Sequence, residues 1–177
     1  MGIWKYSEGQ PEEGLLALSG CSIDISLIRD GKCPCPAAAV ESEQVHNLFV
    51  IRFPLDPHER LYGLGLGFSG MTLNHGVRHL RTDHYGGSDN GRTHAPIPFY
   101  VSDAGYGVFV DVAENISFYM GGAVRMDAKN PPPEMDRVRD DDWKCDQDAE
   151  YVECSFPGHG ADVYIITGNT MCAGSCP

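Results

Sequence analysis

Long apolar runs are absent from the sequence, and none approaches the roughly 20 residues that a membrane-spanning helix requires. Residues 1–7 also lack the basic segment followed by an apolar one that marks a secretory leader. We therefore expect a chain with no membrane partner and with a cytoplasmic location.

Basic residues are scarce as well. The sequence has 13 Lys and Arg against 25 Asp and Glu, which gives a formal net charge of −12. Such a chain repels a phosphate backbone instead of neutralising it, and this argues against nucleic acid as a partner. Much of the acid lies between residues 136 and 148, a stretch that we interpret as a solvated loop.

Paired cysteine motifs are missing. The seven cysteines are an odd number, so they cannot all pair within the chain, and none has the C-x-x-C spacing typical of zinc sites. A metal site built from His75, His79, Asp83 and His84 needs a helix, which Gly76 disfavours. The sequence therefore predicts reduced thiols, no metal and no cofactor.

Turn residues, by contrast, are abundant, with 21 glycines and 12 prolines between short β-rich runs. The clearest unit is a hairpin over residues 96–111, which turns at residues 103–105 and places Tyr106, Val108 and Val110 on one face. About ten short strands and no convincing helix predict an all-β fold, an antiparallel β-sandwich. The other predicted strands include residues 22–28, 48–53, 116–120, 123–127, 149–156 and 161–167.

Residues 71–97 form the longest stretch without an apolar pattern. A loop of about 20 residues inside a compact domain is expected to be functional or disordered. Carboxylates and amides can hydrogen-bond to sugar hydroxyls, and the ring of Tyr85 can cover the apolar face of a pyranose. We therefore interpret this stretch as a sugar-facing loop.

Four segments in a fixed order carry a family resemblance: ERLYGLG at residues 59–65, TDHYGGSDN at 82–90, PFYVSDAGYGVFVD at 98–111 and ADVYIITGNT at 161–170. Together they resemble the N-terminal domain of family 31 glycoside hydrolases, the α-glucosidase and α-xylosidase group. The resemblance covers about residues 45 to 170. It implies a galactose mutarotase-like β-sandwich, which we assign to residues 1–170 as one domain, with residues 171–177 as a C-terminal tail.

The resemblance also implies a function. In this family the two catalytic carboxylates lie on a (β/α)₈ barrel, which we expect to be absent from this chain, so no catalytic residue is assigned and the chain is expected to be inactive alone. The family's sandwich sends one loop over the barrel mouth, and by position Asp83, or Asp89 as a competing alignment, resembles the aspartate that binds substrate hydroxyls. The substrate-binding residues that we predict on this basis are Asp83, His84, Tyr85, Asp89, Asn90 and Arg92.

The partners implied are an α-linked oligosaccharide or glycoside and a catalytic barrel. A domain that packs on a barrel is expected to expose a larger apolar patch than the few hundred Å² usual for monomers. One alternative is a stand-alone sugar-binding module. A further alternative is an aldose mutarotase-type epimerase, which needs a His and a Glu facing one sugar, with Glu114 and one of His79, His84 or His94 as candidates.

Overall fold

A computed structural model of the chain describes residues 1–66, 70–82, 92–93, 95–122 and 149–168. These residues are almost entirely β-structure, with one short helix, α1 (Leu15–Leu18), and two 3₁₀ turns, Ile25–Leu27 and Pro36–Ala38. Among them, no helix is both long and apolar enough to cross a bilayer. The strands are β1 (Gly2–Gly9), β2 (Glu41–Val45), β3 (Leu48–Pro54), β4 (Leu61–Gly65), β5 (Val77–Thr82), β6 (Arg92–Thr93), β7 (Pro96–Ser102), β8 (Tyr106–Asp111), β9 (Ile116–Met120), β10 (Tyr151–Pro157) and β11 (Gly160–Thr167).

The strands form two sheets, as the predicted sandwich requires. A five-stranded sheet has the order β1-β11-β8-β7-β4, and a six-stranded sheet has the order β2-β3-β10-β9-β5-β6. All neighbours are antiparallel except β5 and the two-residue β6, which pair in parallel. The predicted fold class, an antiparallel β-sandwich of the galactose mutarotase-like type, is confirmed.

The predicted hairpin over residues 96–111 is formed by β7 and β8, with Phe99 opposite Phe109. Gly105 takes the left-handed φ of +90° that the turn needs. The Ser102 hydroxyl accepts a hydrogen bond from the Ala104 N–H at 2.9 Å and closes the turn. The face predicted to carry Tyr106, Val108 and Val110 is buried in the core, as the alternation indicates.

The core lies between the two sheets and centres on Tyr100 of β7, which is fully buried. Its ring meets Phe53 of β3 and Phe118 of β9 edge-on, at centroid distances of 6.3 and 6.2 Å. Burial raises the pKa of the Tyr100 hydroxyl well above its usual value. Among the described residues this hydroxyl has no hydrogen-bond partner.

Two expectations are corrected by the structure. Residues 22–28 are not a strand, because the Asp24 carboxylate accepts a hydrogen bond from the Ser26 N–H at 2.9 Å and caps a 3₁₀ turn there, which leaves Ile25 82% exposed. Residues 71–97 are not one continuous loop, since β5 pairs antiparallel with β9 across residues 77–80. The predicted strand 123–127, the acidic stretch 136–148 and the tail 171–177 lie outside the described residues.

One edge of the five-stranded sheet is closed by a side chain. The Leu61 N–H of β4 donates to Asn74 Oδ1 at 2.9 Å, and Asn74 Nδ2 donates to the Glu59 carbonyl at 2.7 Å. The Leu73 N–H adds a backbone bond to the Leu61 carbonyl at 2.8 Å. The Asn74 amide thus takes the place of a neighbouring strand at the start of β4.

We predict that Asn74→Ala lowers the free energy of unfolding by about 1–3 kcal/mol, because two part-buried backbone groups lose their partner. Urea unfolding measures the change. The matched control is Asn115→Ala, at an exposed asparagine between β8 and β9, which should change stability by less than about 0.5 kcal/mol. Equal effects of the two substitutions would rule out the edge-closing role.

We also predict that Tyr100→Phe leaves the free energy of unfolding unchanged or raises it by about 1–2 kcal/mol, since a buried hydroxyl without a partner is costly. The control is Tyr106→Phe. Burial and then the neighbouring Glu59 carboxylate raise the pKa of Tyr106, so losing its hydroxyl should destabilise by about 1 kcal/mol. A loss of stability in Tyr100→Phe comparable to that in Tyr106→Phe would show that the Tyr100 hydroxyl has a partner.

Candidate functional site

The candidate sugar-facing loop begins and ends at one edge of the six-stranded sheet. The chain leaves β5 at Thr82 and returns through β6, where His79 is paired with Arg92 and Thr82 with Thr93. The described residues on either side of 83–91 therefore lie in one strand pair. We call the β5–β6 pair the β5–β6 edge.

All six predicted sugar-binding side chains lie outside what the structure describes. Residues Asp83, His84, Tyr85, Asp89 and Asn90 lie outside the described residues. The backbone of Arg92 lies in β6, and its side chain is not described. The structure places the strand residues on either side of 83–91, whereas the roles of the six side chains stay predictions.

A bulge in β4 lies against the far end of this loop. Gly63, Leu64 and Gly65 have φ values of +120°, +60° and +96°, so three residues in a row are left-handed. Opposite them the register with β7 shifts, and Gly65 pairs with Pro96. This left-handed backbone directs the Leu64 side chain into the core, where it is 1% exposed. A strained turn of this kind persists only where its surroundings fix it.

The contact that fixes the bulge is with the loop's last described residue. A Cβ placed on Gly65 would overlap the carbonyl oxygen of Ala95. The β4 backbone therefore approaches the chain at the point where the loop re-enters β7. Gly65, which has no side chain, permits this close packing against the loop end.

Of the four candidate metal ligands, His75 and His79 are in the described part of the chain, whereas Asp83 and His84 lie outside it. His75 precedes β5 in a left-handed conformation with φ of +62°, and His79 lies in the strand, so the two do not share a helix face. His79 Nδ1 lies 2.8 Å from the Ser117 hydroxyl of β9. No group of three or more His, Cys, Asp or Glu side chains within the described part of the chain could hold a metal ion.

His79 and Glu114, the described members of the mutarotase-type pair, have different surroundings. His79 is bonded to Ser117, whereas Glu114 lines a pocket of about 40 Å³ together with Glu12, Glu13 and Asp111. That pocket is far smaller than the roughly 300–1,000 Å³ of ligand sites. His84 and His94, the other candidate partners of Glu114, lie outside the described residues.

Sequence analysis missed a charged cluster on the outer face of the six-stranded sheet. Arg52 Nε lies 2.7 Å from Glu153 Oε2, Arg52 Nη2 lies 2.6 Å from Glu43 Oε1, and the guanidinium lies 5.8 Å from the centroid of the Tyr151 ring. Burial lowers the pKa of Arg52, but the two carboxylates outweigh this and raise it overall. The signal was available, because arginine interrupts the apolar run of β3.

These carboxylates are poor candidates for glycoside hydrolysis. Glu153 is 1% exposed, so a sugar cannot reach it, and both Glu43 and Glu153 are bound to one guanidinium. A retaining glycosidase needs two carboxyl groups about 5–5.5 Å apart across an accessible bond. We therefore interpret the cluster as a structural ion network that joins β2, β3 and β10.

The thiols of the described residues are free, and three of the four are at least half buried. Cys33 and Cys154 are buried, Cys35 is intermediate and Cys21 is exposed. Burial raises the pKa of Cys35 to about 11 and raises that of Cys154 as well. At neutral pH these two groups are protonated, so they are poor nucleophiles and metal ligands.

Comparison with known proteins gives one family match. Residues 37–118 match the model of the glycosyl hydrolase 31 N-terminal galactose mutarotase-like domain. The matched residues run from the 3₁₀ turn before β2 to the middle of β9, so they include the β5–β6 edge and the hairpin of β7 and β8.

The proteins that this chain matches are much longer than the chain. The chain is 40% identical over 112 residues to the α-xylosidase XylQ of Lactiplantibacillus pentosus, a match covering 63% of this chain and 11% of XylQ. Among solved structures, a family 31 dextranase of Flavobacterium johnsoniae, complexed with glucose, matches with a TM-score of 0.52 at 18% identity over 72% of this chain and 13% of the dextranase. A family 31 sulfoquinovosidase of E. rectale, in complex with an aza-sugar inhibitor, matches with a TM-score of 0.50 at 18% identity over 70% of this chain and 18% of the enzyme. The structural matches support the fold of the domain.

We predict that Gly65→Ala destabilises the domain by about 2–4 kcal/mol, because the methyl group adds a clash with Ala95 to the cost of a left-handed residue. Gly20→Ala is the control, since Gly20 has φ of +70° but open space around it. Gly20→Ala should lower the free energy of unfolding only by the cost of a left-handed alanine, about 1–2 kcal/mol. Thermal unfolding compares the two variants, and equal losses would show that Ala95 does not press on Gly65.

Proposed function

We propose that this domain is a carbohydrate-binding accessory domain of a family 31 α-glycoside hydrolase. In this proposal its loop 83–91 completes the substrate pocket of a catalytic (β/α)₈ barrel. The observation that carries the proposal is the anchoring of that loop. Both of its ends are fixed in the β5–β6 pair, and its return to β7 is held by the β4 bulge. A loop supported on a rigid sheet in this way can hold side chains toward a ligand.

The chemistry of the loop fits a sugar. Asp83 and Asp89 can accept hydrogen bonds from hydroxyls, Asn90 and Arg92 can donate them, and Tyr85 can cover a pyranose face. The names of the relatives support the same substrate class, since XylQ is an α-xylosidase and the dextranase structure contains glucose. An α-xyloside is therefore the first sugar to test.

The proposal assigns no catalytic group to this chain. Within the described residues the most buried carboxylates, Glu59 and Glu153, are too enclosed to meet a substrate. The acid and the nucleophile of the reaction are assigned to the barrel. The domain's contribution is to bind and orient the sugar, and that contribution is realised only when the barrel supplies the opposite wall of the pocket.

Hydrolysis of a panel of aryl α-glycosides by the purified chain tests this proposal, with xyloside, glucoside and galactoside as substrates and Asp83→Ala as the comparison. We expect no release above the Asp83→Ala background. Release that Asp83→Ala abolishes would contradict the proposal, because the sandwich would then contain its own active site.

A sugar titration followed by NMR separates the accessory domain from a stand-alone binding module. With one wall of the pocket present, we expect α-xyloside to bind weakly, with a Kd above about 1 mM, which is less than about 4 kcal/mol of binding free energy. Asp83→Ala should remove the shifts, and Glu41→Ala, at an exposed site on β2, should not. Saturation at micromolar sugar would instead identify a stand-alone module.

A further inference from the structure

Strand β2 is an open edge of the six-stranded sheet. Each sheet of the sandwich has two edge strands, which are β1 and β4 in one sheet and β2 and β6 in the other. β1 is covered where Ile28 bridges Ile3 and the Arg29 N–H donates to the Ile3 carbonyl at 2.7 Å. The start of β4 is closed by Asn74, and β6 has only two residues. The described residues provide no such cover for β2.

The unpaired backbone groups of β2 belong to Ser42 and Gln44. β2 and β3 form a hairpin in which Val45 is paired with Leu48 across a two-residue turn. Backbone hydrogen bonds alternate along an antiparallel pair, and the pair next to a two-residue turn is a bonded one. Ser42 and Gln44 therefore direct their N–H and C=O groups away from β3, and neither has a backbone hydrogen bond to another described element. Both residues are exposed, so these groups are accessible to an added strand.

Side-chain contacts hold β2 in its extended conformation. Gln44 Nε2 donates to the carbonyl oxygens of Leu48 at 3.1 Å and Gly158 at 3.3 Å. The Ser42 hydroxyl donates to Glu8 Oε2 of β1 at 2.6 Å. A strand that is already ordered adds little ordering cost when a partner pairs with it. β2 is thus preorganised for pairing along its free edge.

The outward side chains of β2 are acidic. Glu41 and Glu43 lie on the outer face of the sheet, where Arg52 of β3 is opposite Glu41. Glu43 Oε1 is paired with Arg52 Nη2 at 2.6 Å, and Glu153 Oε2 lies 2.7 Å from Nε of the same guanidinium. Glu41 is exposed and has no ion pair among the described residues. A strand added beside β2 therefore meets an excess of negative charge at alternate positions.

This charge distinguishes two possible occupants of the edge. Full antiparallel overlap of β2 with β2 of a second copy is centred on Glu43 and places this glutamate opposite itself. Like charges directly opposite each other destabilise a sheet. A segment with lysine or arginine at every second position instead places cations opposite Glu41 and Glu43. The formal net charge of −12 also attracts such a segment over a longer range.

We propose that the free edge of β2 binds an extended segment of a partner protein that carries lysine or arginine at alternate positions. The segment pairs with Ser42 and Gln44 through backbone hydrogen bonds, and its cations face Glu41 and Glu43. This inference goes beyond the proposed sugar-binding function and does not depend on it. β2 and the β5–β6 edge lie at opposite ends of the six-stranded sheet, so the segment and a sugar do not compete for one edge.

Titration of the full chain with a blocked peptide of alternating lysine and threonine tests this proposal, with backbone amide shifts in NMR as the readout. We expect the largest shifts in β2 and its turn. The matched control is the same peptide with alternate amide nitrogens methylated, which keeps the charge but removes the backbone donors that strand pairing needs. This control should bind at least tenfold more weakly. Equal binding of the two peptides, or no binding of either, would overturn the proposal.

Substitutions in β2 separate backbone pairing from charge. Ser42→Pro removes one outward N–H, which a strand tolerates at a free edge, and Ser42→Ala is its control because both variants lose the hydroxyl bond to Glu8. We expect Ser42→Pro to weaken peptide binding at least tenfold and Ser42→Ala less than twofold, at similar Tm. Glu41→Lys should weaken binding several-fold, whereas Glu114→Lys, at an exposed glutamate before β9, should not. Unchanged binding in Ser42→Pro or in Glu41→Lys would overturn the proposal. If Ser42→Pro does not fold, Glu41→Lys and the methylated peptide decide the outcome.

Sedimentation velocity of the chain without peptide examines the second copy as occupant. We expect no dimer that depends on β2. A dimer that Ser42→Pro dissociates would overturn the proposal, because β2 of another copy would then occupy the edge. Asp83→Ala should leave peptide binding unchanged, and Ser42→Pro should leave sugar binding unchanged. Failure of the proposed function and failure of this inference are therefore distinguishable.

Discussion

The contact of the Tyr100 ring with Phe53 and Phe118 joins the two sheets, and the rest of the domain depends on it. These three rings come from β7, β3 and β9, so their close packing fixes the five-stranded sheet against the six-stranded one. Because β4 is paired with β7 and β5 with β9, the same contact sets the distance between the β4 bulge and the β5–β6 edge. The core thereby places both ends of the candidate sugar-facing loop.

The edges of the sandwich are shaped by irregular features more than by regular strands. Asn74 closes the start of β4 with its side-chain amide, and Gly63, Leu64 and Gly65 bend the end of the same strand toward Ala95. An open strand edge invites pairing with other chains, whereas a bent and capped edge does not. The left-handed Leu64 lies next to Gly65, which contacts Ala95 at the start of β7. Strained backbone of this kind is often found at functional sites, where the surrounding structure holds it in place.

The two outer faces of the sandwich have different chemistry. The face of the six-stranded sheet carries an ion network around Arg52 and ends at the candidate loop. The face of the five-stranded sheet presents Val101, Phe109 and Ile166 beside the point where β11 ends.

The sequence by itself determined the strands whose alternation and turns are local, above all the hairpin at residues 96–111 and the strands around 48–54 and 151–157. It also indicated a resemblance to family 31 and a loop over residues 71–97, which the structure interrupts with β5. Only the tertiary structure decided that residues 22–28 turn at Asp24 and that β1 is a strand. The physical reason is that alternation tells which side chains point the same way, but pairing with strands far away in sequence decides which side meets the core.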